Sequence, residues 1–304
     1  MSSRCSGTSG GEERPTTVIT GATSGIGRET ARILLREGAH VVVVGRKSAG
    51  PEQLSRSLRM EVQGSSVSWA VADLSRMEEV RSLAGDLRKR FPRIHALVNN
   101  AGAIFSKRQE TPEGFERTWA LNVLSPFLLS NLLLPTLAAA APARVVNVAS
   151  EAHRRARLRW EDLEGRRHYS GWRAYSQSKL ALLLVTYELA KRWEGKGVTV
   201  NAVHPGFVRT RFGHNNPGLW GGTLRLAERL FAISPERAAR TVAPLVTAGE
   251  WERVTGGYFI RNRAVRSSPA STDREASARL FRTLSQQVGL SDTRLDPPSG
   301  PATA

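Results

Sequence analysis

The sequence predicts an α/β protein: one domain on a mainly parallel, doubly wound sheet of seven strands, with helices on both faces. Two observations carry this reading. From Thr16 onward, short apolar runs rich in β-branched residues alternate with longer helical stretches, the rhythm of linked strand–helix–strand units. Most of these runs are apolar at consecutive positions, not every second one, which marks strands buried on both faces of a parallel sheet. The 304 residues suffice for one large domain or two small ones, and no repeat of fixed period divides them.

The elements follow in order. A Ser/Gly-rich leader, residues 1–15, is expected to be disordered. The domain then runs over 16–290. Its strands are TTVIT (16–20), HVVVVG (40–45), VSWAVA (67–72), HALVNN (95–100), RVVNVAS (144–150), VTVNAVH (198–204) and YFI (258–260). Between them lie the helical stretches GIGRETARILLREG, PEQLSRSLRMEV, MEEVRSLAGDLRKRF, GFERTWALNVLSPFLLSNLLL, WRAYSQSKLALLLVTYELAKRW and PERAARTVAPLVTAG. A last amphipathic helix is expected over 271–287, and a Pro/Ser-rich tail, 291–304, is expected to be loose. A sheet of this kind takes its ligand beyond the C-terminal ends of its strands, where the winding reverses.

Composition narrows the classes. Hydrophobic residues make up 40% and charged residues 23%, as in soluble globular proteins. No apolar run reaches the roughly 20 residues that span a bilayer; the longest candidate, Phe127 to Ala141, contains Ser130, Asn131 and Pro135. The start lacks the apolar stretch of a secretory signal. Cys5 is the single cysteine, so the chain can build neither an internal disulfide nor a thiolate metal site, and a reducing cytoplasm is the expected setting. His153, His168 and His204 have no metal-ligand spacing, so no metal is expected. The formal charge of +17 raises the question of nucleic acid. Arginines are spread among acids and no nucleic-acid motif accompanies them, so a solvated surface that favours anionic ligands is the expected reading.

The first strand runs straight into Thr20-Gly21-Ala22-Thr23-Ser24-Gly25-Ile26-Gly27, and a helix follows. Gly21 permits the tight turn, Gly25 lets the backbone approach a pyrophosphate, and Gly27 lets the helix pack on the sheet. The free N–H groups and dipole of the helix start favour phosphate. The second strand ends in Gly45-Arg46-Lys47, where an NAD site usually carries an acid for the ribose 2′-hydroxyl. Arg46 can stack on adenine and pair with a 2′-phosphate, so NADP(H) is expected over NAD(H). Further on, Tyr175 and Lys179 are separated by one helical turn and can point to one place. A free tyrosine titrates near pH 10, about three units too high for acid–base work at neutrality. An ammonium and an oxidised nicotinamide beside it are expected to lower that value.

The spacing TGxxxGIG, together with Asn99-Asn100-Ala101-Gly102, Asn122, Ser150, Tyr175-x-x-x-Lys179 and His204-Pro205-Gly206 in that order, resembles the short-chain dehydrogenase/reductase family. The resemblance spans roughly Thr16 to Phe259 and implies a Rossmann-type oxidoreductase passing a hydride between NADP(H) and a carbonyl or alcohol. It implies that Ser150 positions the substrate oxygen and that Tyr175 exchanges a proton with it. Lys179 would bind the nicotinamide ribose, and Asn122 would hold a water leading to solvent. It also implies cofactor contacts from Gly21, Thr23, Ser24, Gly25, Ile26, Gly27, Arg46, Lys47, Asp73, Leu74, Asn100, Ala101, Gly102, Tyr175, Lys179, Pro205, Gly206 and Val208. Asp73 would meet the adenine amino group, and Pro205, Gly206 and Val208 the carboxamide. Family members pair helices like that of Tyr175 across a two-fold axis, so a homodimer or homotetramer is implied.

The stretch between Ser150 and Tyr175 is longer than in the commonest members and resembles the retinol dehydrogenase-like branch with its soluble bacterial relatives, which acts on lipophilic compounds. It is rich in arginine: Arg154, Arg155, Arg157, Arg159, Arg166, Arg167 and Arg173. Either these form a solvated loop, or they form a cationic rim for an anionic substrate or carrier. The segment 205–232, with Phe207, Phe212, Leu219 and Trp220 among glycines, is expected to be an apolar substrate lid. Two other classes stay open: a catalytically silent NADP(H)-binding regulator, and a nucleic-acid binder motivated by charge alone.

Overall fold

A computed structural model describes residues 14–47, 50–206 and 233–290. Seven strands lie parallel: β1 (Thr16–Thr20), β2 (His40–Gly45), β3 (Ser66–Val71), β4 (Ala96–Asn99), β5 (Ala143–Val148), β6 (Val198–His204) and β7 (Tyr258–Ile260). The order across the sheet is β3-β2-β1-β4-β5-β6-β7, and an eighth strand, β8 (Arg263–Ala264), follows antiparallel to β7. The expected count of seven is thus one short. The turn into β8 is made by Arg261 and Asn262, both at positive φ. A strand of two exposed residues with no apolar pattern carries no sequence signal.

The valines explain the layering. Val41, Val42, Val43 and Val44 are all buried, because successive side chains enter opposite cores. One core lies against α3 (Met77–Arg90), the long helix α4 (Arg117–Ala139), α5 (Gly171–Arg192) and α7 (Arg274–Gln287). The other lies against α1 (Gly25–Arg36), α2 (Pro51–Glu61) and α6 (Pro235–Val242). β3, at the sheet edge, breaks the rule of double burial: Trp69 and Val71 are exposed.

Two apolar helices find their cover inside the chain. α4 has a window of mean hydropathy 1.5, enough by length and composition to cross a membrane, although no uninterrupted apolar run is that long. It is instead a core helix, with 78% of that window buried inside the protein. Much of the apolar circumference of α5 is covered within the chain, while Tyr187 stays partly exposed. Leu182 and Leu183 are buried, and Leu180, Leu184 and Leu189 share a core with Leu280, Phe281 and Leu284 of α7.

Candidate active site

The strands' C-terminal ends at the β1/β4 switch point gather nearly all the predicted residues. Gly21 and Gly25 both have positive φ, at 63° and 56°. A side chain on Gly21 would put its Cβ 2.8 Å from Ala101 Cα, and one on Gly27 would lie 2.6 Å from Asn100 Nδ2. Two turns are therefore pressed together, and Asn100 holds them. Its side-chain amide donates to the carbonyls of Thr20 (2.8 Å) and Gly21 (3.1 Å). The backbone N–H groups of Asn100 and Ala101 in turn donate to Thr20 Oγ1.

α1 begins at Ser24, whose side chain makes no capping bond, and its first turn carries no acid. The helix start thus keeps its donors and positive potential for an anion. Ile26 is half-buried against the core below this turn, and the Thr23 methyl lies against Gly45 at the end of β2. Arg46 and Lys47 stand exposed just beyond. Opposite them, burial opposes ionisation of Asp73. Bonds from the Ser75 N–H (3.0 Å) and hydroxyl (2.7 Å), with the charges of Arg117 and Arg46, hold its carboxyl below the usual range. The Leu74 side chain packs in the core, leaving only its main chain for a dinucleotide. A cradle that a Cβ would fill, an uncapped helix start and two exposed cations fit a phosphorylated dinucleotide.

A buried polar ladder fixes the centre of the sheet. Asn99 donates to Asn147 (2.8 Å) and to Ser130 (3.0 Å), and Asn147 donates to Thr186 (2.9 Å). These bonds pin β4, β5, α4 and α5 to one another. Asn122 sits in a π turn, Ala120–Leu124, within α4. Its Oδ1 accepts from Ala103 N–H, while its amide donates to Ala103 O and Ser178 Oγ, each at 3.0 Å. Both amide protons are used, so a water there would need the second lone pair of Oδ1 or the main-chain carbonyl displaced by the π turn. Gly102 leaves the space beside it: a Cβ would lie 3.3 Å from Asn122 Oδ1 and 3.5 Å from Lys179 Nζ.

Tyr175 and Lys179 meet as their spacing requires, with Nζ 5.7 Å from the tyrosine ring centroid. Nζ donates to Val148 O at 2.8 Å, and the Tyr175 hydroxyl bonds Ser150. The expected lowering of the tyrosine does not arise from these neighbours. Burial dominates and pushes Tyr175 up to about 12, against the pull of Ser150, and it draws Lys179 down to about 8. In the protein alone, desolvation outweighs the Ser150 hydrogen bond.

Ser150 is held by His153, which its sequence context marked only as a histidine without metal-ligand spacing. His153 is fully buried. Its Nδ1 lies 2.6 Å from Ser150 O, and its Nε2 accepts from the Ser268 N–H at 3.2 Å. An acceptor at Nε2 requires the proton at Nδ1, so His153 is the neutral tautomer donating to Ser150 O. Burial keeps it neutral by lowering its pKa. Burial likewise draws His204 down to about 4, and its Nδ1 is buried without a partner among the described residues. Pro205 and Gly206 follow at the crevice, with Gly206 at φ 100° against Ile233. Val208, with 207–232 of the expected lid, lies outside the described residues. Among the described residues, no group of three His, Cys, Asp or Glu side chains gathers as a metal site.

The insert after Ser150 is not a loose loop. Tyr169 donates to Phe105 O (2.9 Å) and to Glu116 Oε1 (3.1 Å), and Glu164 accepts from Glu116 N–H (2.7 Å). Glu116, buried and thereby raised in pKa, caps α4 through the N–H groups of Thr118 and Trp119.

A family model described as short chain dehydrogenase matches residues 15–217. Retinol dehydrogenase 13 of Homo sapiens is 36% identical over 281 residues, covering 90% of this chain and 85% of that protein. A solved structure from Mycobacterium paratuberculosis superposes with TM-score 0.74 at 31% identity, over 90% of this chain and 93% of that one. Pseudomonas aeruginosa RhlG, in an NADP active-site complex, superposes with TM-score 0.64 at 29% identity, over 81% and 93%.

Proposed function

Since the chain belongs to the short-chain dehydrogenase/reductase family, in its retinol dehydrogenase-like branch, we propose an NADP(H)-dependent oxidoreductase acting on a lipophilic carbonyl or alcohol. The observation that carries the proposal is the cluster of Ser150 with buried Tyr175 and Lys179, beside the Ala101–Gly102 turn that packs on the glycine turn. The dinucleotide, when bound, supplies or accepts the hydride.

This chain's residues do the rest. Gly21, Gly25 and Gly27 would admit the pyrophosphate to the uncapped start of α1, and Arg46 with Lys47 would hold the 2′-phosphate. Ser150, anchored through His153, orients the substrate oxygen within reach of the Tyr175 hydroxyl. In reduction Tyr175 gives that oxygen a proton; in oxidation it takes one. A phenol at about 12 is a weak acid, so positive charge beside it must grow before it acts. Lys179, close to its ring and buried, supplies part of that charge. Asn122 and Ser178 hold the lysine's surroundings, and re-protonation from solvent passes this way.

The RhlG–NADP complex and Arg46 support the phosphorylated cofactor, and the retinol dehydrogenase likeness supports a lipophilic substrate. A cytoplasmic homodimer or homotetramer completes the proposal. A panel of aldehydes, ketones and alcohols, followed at the nicotinamide absorbance with NADP(H) and NAD(H), tests it. Turnover of a lipophilic compound with NADP(H) is expected. Dinucleotide binding without turnover of any compound would return the silent regulator.

A further inference from the structure

A second concavity lies beside the candidate active site. It holds about 540 Å³ between the insert and the first turns of α5. Five arginines line it (Arg154, Arg155, Arg157, Arg159 and Arg173) against two acids, Glu151 and Asp162. Both acids are already committed. Glu151 pairs with Arg154 at 2.9 Å and accepts from Tyr258 at 2.8 Å. The Asp162 carboxylate accepts the N–H groups of Arg166 (2.6 Å) and Arg167 (3.2 Å). Arg155, Arg157, Arg159 and Arg173 thus line the cleft with no carboxylate partner among the described residues.

Like charges on a free loop would spread apart into water. Here the backbone that carries them is fastened. Gln177 accepts from Arg159 N–H (2.9 Å) and donates to Leu163 O (2.7 Å), while Tyr169 and Glu164 tie the insert to α4. Cations held over a concave, partly apolar wall focus field into it. The wall also includes Ser176, buried with a hydroxyl that has no partner among the described residues. Trp172 joins the cleft to the candidate active site: it is 49% exposed, and its ring centroid is 6.1 Å from that of Tyr175.

We propose that this cleft binds an anionic group, a carboxylate or a phosphate, carried at the far end of an apolar substrate whose chain lies along Trp172. The substrate clause rests on the oxidoreductase reading; the anion site itself does not. The probes are octyl phosphate and octanoate, with octanol as the neutral control, titrated by calorimetry into the protein and into Arg155→Glu/Arg157→Glu. Circular dichroism verifies that the variant is folded. Saturable binding of one or both anions is expected, about tenfold weaker in the variant and in high salt. The stronger of the two identifies the group. Octanol binding as tightly as the anions, or equal anion affinity in variant and parent, overturns the site. In the kinetic arm, 9-oxononanoate is expected to show a lower KM than nonanal in the parent only, with kcat for nonanal unchanged in the variant. Anion binding with neither aldehyde reduced leaves the site standing and removes only the substrate clause. Reduction of both with no charge preference removes that clause while the oxidoreductase reading stands.

Discussion

The two halves of the crevice solve opposite problems. At the β1–β2 end the site is made of backbone and of side chains left free: glycines without Cβ atoms, a helix start without a cap, and Arg46 and Lys47 in solvent. At the β5–β6 end most of the polar side chains are buried, and several are committed to hydrogen bonds. Asn122, Ser150, His153, Tyr175 and Lys179 sit in one hydrogen-bonded mass. The first end keeps donors and cations available to an anion. The second shifts acid–base behaviour by removing water, as the opposite displacements of Tyr175 and Lys179 record.

This contrast is testable from its strongest consequence downward. Tyr175→Phe removes one hydroxyl from the buried end, and kcat is expected to fall by about three orders of magnitude. Dinucleotide affinity, read by fluorescence titration, should stay within a few-fold. A variant that keeps near-normal kcat would dissolve the division. At the free end, Arg46→Asp is expected to shift the NADP/NAD ratio of kcat/KM by about a hundredfold toward NAD, in line with the loss of a charge-assisted phosphate contact. An unchanged ratio would remove Arg46 from the site.

A third experiment reads the cost of burial directly. Lys179 titrates at about 8 in the folded protein, and an unfolded lysine titrates near 10.4. The unfolded chain therefore binds the proton more readily, and stability rises as pH climbs through that window. Lys179→Met should accordingly be more stable at pH 7, by about 1–3 kcal/mol after losing the bond to Val148 O, although inactive. The advantage should vanish above about pH 10.5. Denaturant midpoints at pH 7 and pH 10.5 check this, and a variant no more stable at pH 7 contradicts a buried ammonium. The smallest effect is expected from His153→Phe: about a tenfold drop in kcat with cofactor affinity unchanged, since only the anchoring of Ser150 is lost. Partial recovery in His153→Asn, which keeps a donor, would separate anchoring from packing.

Legibility differed between the same two regions. The glycine turn, the Arg46 position and the Tyr175–Lys179 pair were readable because each depends on chain-local geometry: a φ sign, a strand end, one turn of helix. His153 was not readable as an anchor, since its partner Ser268 is remote in sequence and is carried to it by the segment that follows β7 and β8. The cover of α5 was equally illegible, because α7 reaches it from elsewhere in the chain.

The sequence by itself determined the layer architecture and the chemical types at the crevice, because periodicity and short motifs are properties of neighbours along the chain. Only the tertiary structure decided the protonation tendencies of Tyr175 and Lys179, the tautomer of His153 and the fastening of the arginine-bearing insert. Those depend on how much water is excluded and on which distant groups arrive, and desolvation is a property of the packed whole.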